Sequence, residues 1–249
     1  LGNDFAGQTC TISELSGSGG VNPQFDNATG TKTLNVNQTT STELSGVMRN
    51  ATSGVSRLLA LTKSGSGTLT LSGASTYTGA TNINAGTLVV TGSLGNTAVT
   101  VASAATLAGN GNLGGSLTVQ SGGIHSLAVA ATPASQITRT ITGLLTLDSG
   151  NILTLTAATT PAAGTYILAT ANGGISGAPG IVNLPSGVSG SVSVVGNNLE
   201  LTVLPAGDYN SWAASYPSLT DTAKTADPDG DGLTNFQEYA FGLNPTLGS

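Results

Sequence analysis

From Ser64 to Thr138 the chain contains no Asp, Glu, Lys or Arg, and from there to Leu199 only Arg139 and Asp148 interrupt. A soluble domain is ordinarily about a quarter charged, and surface helices need a charged face opposite their apolar stripe. A helical bundle is therefore excluded over this stretch. What fills it instead is a short recurring phrase of Thr alternating with an aliphatic residue, followed by a turn of Gly, Asn and Ser. Thr68-Leu69-Thr70-Leu71, Thr87-Leu88-Val89-Val90, Ala98-Val99-Thr100-Val101 and Ser116-Leu117-Thr118-Val119 are the clearest copies. Leu144 to Leu147, Ile152 to Thr156, Ser191 to Val194 and Leu199 to Val203 continue the pattern. Alternation with period two places the aliphatic side chains on one face, as half-buried strands require.

Strands of four or five residues recurring at roughly 20 residues predict a β-solenoid, in which each rung stacks on the one before. At about 4.8 Å per rung, some ten rungs would make a rod of about 50 Å. The 249 residues include 36 Gly but only 4% aromatics, so the interior has to be built from Val, Ile, Leu and Ala. The pattern is strongest over residues 55 to 130. The stretch from Ile137 to Val203, with Pro161, Pro179 and Pro185 in longer connections, reads either as wide terminal rungs or as a β-sandwich.

Six of the twelve acids and six of the ten aromatic residues fall after Leu204. This composition shift, with Pro205-Ala206-Gly207, marks a boundary. The expected organisation is a β-solenoid over residues 1–205 and an EF-hand-like calcium-loop module over 206–249. The single cysteine, Cys10, excludes an internal disulfide framework and is expected to be a small buried hydrophobe. No apolar run approaches the roughly 20 residues of a membrane helix, and Leu1 is expected to be an internal or processed end. A net charge of −6 disfavours nucleic acid and anionic membrane surfaces as partners.

The run Leu61-Thr62-Lys63-Ser64-Gly65-Ser66-Gly67-Thr68-Leu69-Thr70-Leu71-Ser72-Gly73, with Thr76-Tyr77-Thr78-Gly79-Ala80-Thr81-Asn82-Ile83-Asn84-Ala85-Gly86-Thr87-Leu88-Val89-Val90, resembles the autotransporter-associated β-strand repeat of bacterial surface proteins. The resemblance implies a right-handed parallel β-helix, export to the cell surface, and a structural or adhesive role.

The strongest chemical signal lies at the other end. Asp227-Pro228-Asp229-Gly230-Asp231-Gly232-Leu233-Thr234-Asn235-Phe236-Gln237-Glu238 fits the spacing of a calcium loop. Ca²⁺ takes six to eight oxygens. Asp227, Asp229 and Asp231 supply loop positions 1, 3 and 5, and Gly232 permits the sharp turn. The Leu233 carbonyl contributes at position 7, Asn235 at 9 directly or through water, and Glu238 with both oxygens at 12. Asp208 is expected to cap a short helix carrying Trp212 and Tyr216. Phe236, Tyr239 and Phe241 belong to a second helix ended by Gly242 and Pro245, the aromatics forming the core between the two. The module resembles the calcium loops of dockerin-like and thrombospondin type 3-like modules. It has one loop where a dockerin has a duplicated pair, so a structural clip is expected rather than cohesin docking.

Other constellations carry less. Gly109-Asn110-Gly111-Asn112-Leu113-Gly114 spells G-x-G-x-x-G but precedes a strand, not the helix a phosphate site needs. His125, with Ser121, Ser126 and Asp148, is a nominal triad set, and the rod lacks the acids a polysaccharide-cleaving groove uses. An enzyme is not expected. No capping helix is visible at the N-terminus, and uncapped solenoid ends stack. The leading expectation is a secreted structural subunit joined head to tail with copies of itself by β-stacking, with Ca²⁺ ordering the C-terminal connector. The alternative is a monomeric adhesin or stalk whose Thr- and Asn-lined face contacts glycans or a cell surface, which predicts an exposed groove with an aromatic ladder for which only Tyr77 and Tyr166 are available.

Overall fold

The computed structural model describes residues 9–23, 30–51, 57–204, 209–214, 216 and 218–248. The expected boundary at Pro205–Gly207 and the expected cap Asp208 lie outside these residues. The described chain winds as a three-sided parallel β-helix. Its coils carry β1 (Thr9–Ile12); β2 (Gly30–Asn37) and β3 (Thr42–Leu44); β4 (Arg57–Ser64) and β5 (Thr68–Leu71); β6 (Thr81–Ile83), β7 (Thr87–Val90) and β8 (Ser93–Leu94); β9 (Val99–Val101), β10 (Thr106–Ala108) and β11 (Asn112–Leu113). The wider coils that follow carry β12 (Leu117–Val119), β13 (Ile124–Val129) and β14 (Arg139–Ile141), then β15 (Leu145–Leu147), β16 (Ile152–Ala157) and β17 (Gly164–Ala171). The last strands are β18 (Ile175–Gly177), β19 (Ile181–Asn183), β20 (Gly190–Val195) and β21 (Asn198–Val203).

One face is an eight-stranded parallel sheet in the order β1-β2-β4-β6-β9-β12-β15-β18, and the second is a seven-stranded parallel sheet from β3 to β19. The third face runs β8-β11-β14-β17 in parallel and is prolonged towards the N-terminus by single bridges at Ala74–Ser93 and Val21–Met48. Eight levels span about 34 Å at the ordinary strand spacing, shorter than ten uniform rungs would give. The reason is the variable rung. Hydrogen-bonded partners in neighbouring coils are 18 residues apart at Thr97 and Gly79 but 28 apart at Thr140 and Asn112, because longer corner loops consume chain without adding height.

Stacking in register turns the alternating pattern into aliphatic ladders. Leu34, Leu61, Thr81, Val99, Leu117, Leu145 and Ile175 follow one another up the first sheet, and Leu69, Leu88 and Leu107 up the second. These side chains are buried, most of them completely, except Ile175 at the last level, which is half-buried, and each Leu or Val withdrawn from water contributes about 1.5–3 kcal/mol. The Thr residues between them face outward and leave a surface that needs no charge. Cys10 is half-buried at the first level, opposite Leu34.

Polar groups that enter the interior do so with partners. Lys63, fully buried in the Val36–Lys63–Ile83 ladder, donates from Nζ to the carbonyls of Ser64 at 2.9 Å, Gly65 at 2.9 Å and Ala85 at 3.3 Å. It ties two successive corner turns together. Tyr77, also fully buried, shares a hydrogen bond of 2.7 Å with Thr81, which continues to Thr97 at 2.9 Å and on to the Gly79 carbonyl at 2.7 Å. Lys63→Met keeps the aliphatic stem but leaves three turn carbonyls without their charged donor. It is expected to cost about 2–4 kcal/mol in urea denaturation. A loss below about 1 kcal/mol would mean that water replaces the ammonium.

The parallel winding does not continue to residue 205, as an uninterrupted solenoid requires. After β19 the chain returns antiparallel, with β21 pairing β17 and β20 pairing β21. A two-residue turn, Gly196-Asn197, joins Val195 to Asn198; such a turn can connect antiparallel neighbours but never parallel ones. The meander closes the coil. Leu199, Leu201 and Val203 join Leu127, Leu153, Leu155, Tyr166 and Leu168 in a second core cluster, with Val182, Val188, Val192 and Val194 packed against it. The sandwich reading of 137–203 is likewise not realised, since β14 to β19 remain part of the stacked parallel sheets.

Beyond the β-region are two short helices, α1 (Tyr209–Ala214) and α2 (Asn235–Phe241). No helix among the described residues is long and apolar enough to cross a membrane.

Candidate metal centre

The loop before α2 is shaped by its own acids. Asp227 accepts hydrogen bonds from the amides of Gly230 at 2.9 Å and Gly232 at 3.1 Å, and Asp231 accepts one from the Leu233 amide at 2.8 Å. Side chains of Asp bonding backbone amides two to five residues on curl the chain around them. Gly232 takes φ +93° at the point of sharpest turn, a conformation that L side chains rarely adopt. The result brings one carboxylate oxygen each of Asp227, Asp229 and Asp231 within 4.8 Å of one another.

α2 delivers the fourth carboxylate. Thr234 is its N-cap, with a capping box closed by Gln237: the Thr234 amide donates to Gln237 Oε1 at 2.8 Å. This pins the first turn and fixes Glu238, which is 1% exposed. Burial pushes the Glu238 carboxyl above its usual range, and the charges of Asp229, Asp231 and Asp227 push it further in the same direction. Both oxygens of Glu238, both of Asp229 and Oδ1 of Asn235 are buried without a hydrogen-bond partner.

Buried polar oxygens are nearly always satisfied, and unpaired buried carboxylates are costly. A concentration of orphaned oxygens beside three clustered aspartates fits a hard cation that takes six to eight oxygen ligands. The donor set is all oxygen, with neither Cys nor His, which suits Ca²⁺ or Mg²⁺ rather than a transition metal.

The six expected residues do not contribute equally. Asp227, Asp229 and Asp231 are brought together, and Glu238 is buried in the first turn of α2 within the influence of their charges. Asn235 is fully buried, but its Nδ2 is committed elsewhere, donating to the carbonyls of Asp221 at 2.8 Å and Ala223 at 2.9 Å. Only Oδ1 remains for a cation or a water. Leu233 follows the acids in the loop, its amide held by Asp231. No spacing rule pointed to the carbonyls of Asp221 and Ala223, which anchor the loop from upstream.

The aromatic residues mostly form the support that the sequence suggests. Tyr209, Trp212 and Tyr239 meet with ring centroids 5.5–5.9 Å apart, and Tyr216 lies 5.3 Å from Trp212. Tyr209 also donates to the Thr222 carbonyl at 2.7 Å, which links α1 to the strand of chain entering the loop. Phe241 is not part of this core: it is 68% exposed, because Gly242 turns the chain left-handed immediately after it. Lys224 sits over the rings of Phe236 at 5.2 Å and Tyr209 at 5.5 Å, a cation–π clasp with no sequence signature.

The weaker constellations resolve as structure. Cβ atoms at Gly109, Gly111 and Gly114 would meet the carbonyls of Val90, Gly92 and Gly95 at 2.4–2.7 Å, so these glycines pack turn upon turn around β11 and cradle no phosphate. Neither ring nitrogen of His125 has a hydrogen-bond partner among the described residues, and no Ser-His-Asp relay is assembled. Tyr77 and Tyr166 are both fully buried, the Tyr77 hydroxyl bonded to Thr81 and the Tyr166 hydroxyl to the Ala162 carbonyl. They therefore form no exposed glycan-binding ladder.

Residues 61–90, from the middle of β4 to the end of β7, match the family model described as the passenger-associated-transport-repeat. No curated protein matches the chain. The matched segment is the part of the rod where Lys63, Tyr77 and Thr81 interlock successive coils, and it links the β-helix to secreted or surface-displayed passengers.

Proposed function

We propose that this protein is an extracellular structural rod of a bacterial surface or matrix, with Ca²⁺ ordering its C-terminal module and copies associating head to tail. The observation that carries the reading is the rod itself. Three stacked faces enclose an aliphatic interior beneath outward-facing Thr ladders, and the segment at residues 61–90 is similar to a repeat of exported passengers. A surface so poor in acids and bases suits display and packing better than proton-transfer chemistry.

The ends support self-association. At the N-terminal end β1 is the outermost strand of its sheet, and at the other end β18 and β19 are the last strands of theirs among the described residues. Parallel edges of this kind accept another chain's backbone. A heterologous contact between two different ends propagates into an open filament. The meander covers the third face with antiparallel strands, so a join would use two faces rather than the three of a coil stacked on a coil.

Negative-stain microscopy and sedimentation with Ca²⁺ and with chelator test this reading. Linear multimers in Ca²⁺ that shorten or loosen in chelator are expected. Monomers alone in both conditions, at concentrations up to those of a dense surface layer, would reject head-to-tail assembly. A compact hydrodynamic shape would reject the rod.

A further inference from the structure

Two buried cations in this β-helix are treated in opposite ways. Lys63 has three ammonium donors and three carbonyl acceptors. Arg139 has five N–H donors and is 0% exposed, yet only Nη2 is bonded, to the carbonyls of Ala108 at 3.1 Å and Gly109. Its Nε and Nη1 are buried without a partner, and so are Nδ1 and Nε2 of His125, itself 1% exposed. His125 pairs with Leu107 in the ladder, and the Arg139 guanidinium reaches the carbonyls of the next two residues, Ala108 and Gly109; after burial, the charge of Arg139 lowers the affinity of His125 for a proton. His125 is thus neutral and can donate from one ring nitrogen. Burial alone lowers Arg139, to about 9, which leaves it a cation at neutral pH with no carboxylate acting on it.

In the parallel register Arg139 lies opposite Ala169. On the other side Leu113 pairs with Ile141, which brings Gly111 alongside Arg139. The ladder neighbours of Arg139 are thus the two smallest residues, whereas His125 is flanked by Leu107 and Leu153. A buried unpaired charge is strongly disfavoured unless something cancels it, and unsatisfied buried groups point to an ordered water or ion. Water would bond the orphaned nitrogens but leave the charge. A small anion does both.

We propose that a small inorganic monoanion, chloride in ordinary salt, is enclosed between Arg139 and His125 and is captured as the coil closes. Nε and Nη1 of the guanidinium donate to it and supply the opposite charge, and one ring nitrogen of His125 donates from the neighbouring face. The site is a folding ligand of the rod, independent of the C-terminal loop and of the surface role.

The test is to refold the full chain in bromide, in chloride and in halide-free buffer of equal ionic strength, wash extensively, denature, and measure released halide by ion chromatography. About one bromide per chain is expected from the bromide sample, as for one saturated internal site. Crystals of the same material should give an anomalous bromine peak beside Arg139. His125→Leu continues the Leu107–Leu153 ladder, so it should fold and retain less halide. Arg139→Met should retain none. Absence of bromide from folded wild type, or a water without anomalous signal at this position, overturns the proposal whether or not the Arg139 variant folds.

Discussion

Gly86→Val is expected to remove most of the stability of the β-helix. Gly86 lies in the corner between β6 and β7 with φ +63°. A Cβ there would meet the carbonyl oxygens of Gly65 and Gly67, in the turn one coil below, at 2.5 Å each. A side chain in the left-handed region costs roughly 1–2 kcal/mol. Forcing packed backbone apart costs about 1–3 kcal/mol more, giving about 2–5 kcal/mol in all. The backbone cannot simply move aside, because Gly86 also accepts a hydrogen bond from Thr106 of the next coil at 2.9 Å. Gly174→Ala is the control. Its φ is +92° but nothing lies within 4 Å of an added Cβ, so only the conformational cost of about 1–2 kcal/mol should appear. Urea midpoints followed by circular dichroism separate the two. Equal losses at both positions would contradict the turn-upon-turn packing.

That stacking was legible in the sequence to an unusual depth, because in a solenoid the local phrase is also the tertiary contact. Thr68–Leu71 and Thr87–Val90 are strands β5 and β7 to the residue, and they pair directly with each other. Each outward Thr stacks on a Thr or Val and each inward Leu on a Leu or Val, so alternation specified face and core, while the register within each ladder is set by the stacking. The fold failed to follow the phrase at Val192–Val194 and Leu199–Val203. Both segments alternate like rungs, but alternation says nothing about strand direction. The Gly196-Asn197 pair between them is the deciding signal, since two residues suffice only for an antiparallel return.

The residues that alternation could not explain are the polar ones at inward positions: Lys63, Thr81, His125 and Arg139. Lys63 and Thr81 satisfy themselves with groups supplied by other turns, the Ala85 carbonyl and the Thr97 hydroxyl. Those partners follow from coil geometry and not from spacing along the chain. The calcium-loop motif shows the reverse balance. Its acids were identifiable by spacing alone, because a twelve-residue loop is a local object. Its anchoring was not, because Asn235 reaches back to carbonyls 14 and 12 residues earlier.

Glu238→Gln is expected to change the sign of its effect on the C-terminal module with the presence of Ca²⁺. Without the ion, Glu238 is buried against Asp227, Asp229 and Asp231, and its carboxylate is opposed by all three. Removing that charge relieves repulsion, so the variant should be the more stable form in chelator. With Ca²⁺ the order reverses, because the amide supplies one oxygen where the carboxylate supplies two and brings no charge to a divalent ion. Affinity is expected to fall by about 100-fold, equivalent to about 2.8 kcal/mol. Asp229→Ala, which deletes two more buried unpartnered oxygens, should lose binding at least as severely. Trp212, the sole tryptophan, packs 5.6 Å from Tyr239 on the helix that carries Glu238, so its fluorescence reports the module separately from the rod during thermal or urea unfolding. Calorimetric titration gives the affinity. An acidic turn with no bound cation would show Glu238→Gln stabilising, or leaving unchanged, the module in both conditions; only a cation held by these oxygens makes the same substitution favourable in chelator and unfavourable in Ca²⁺.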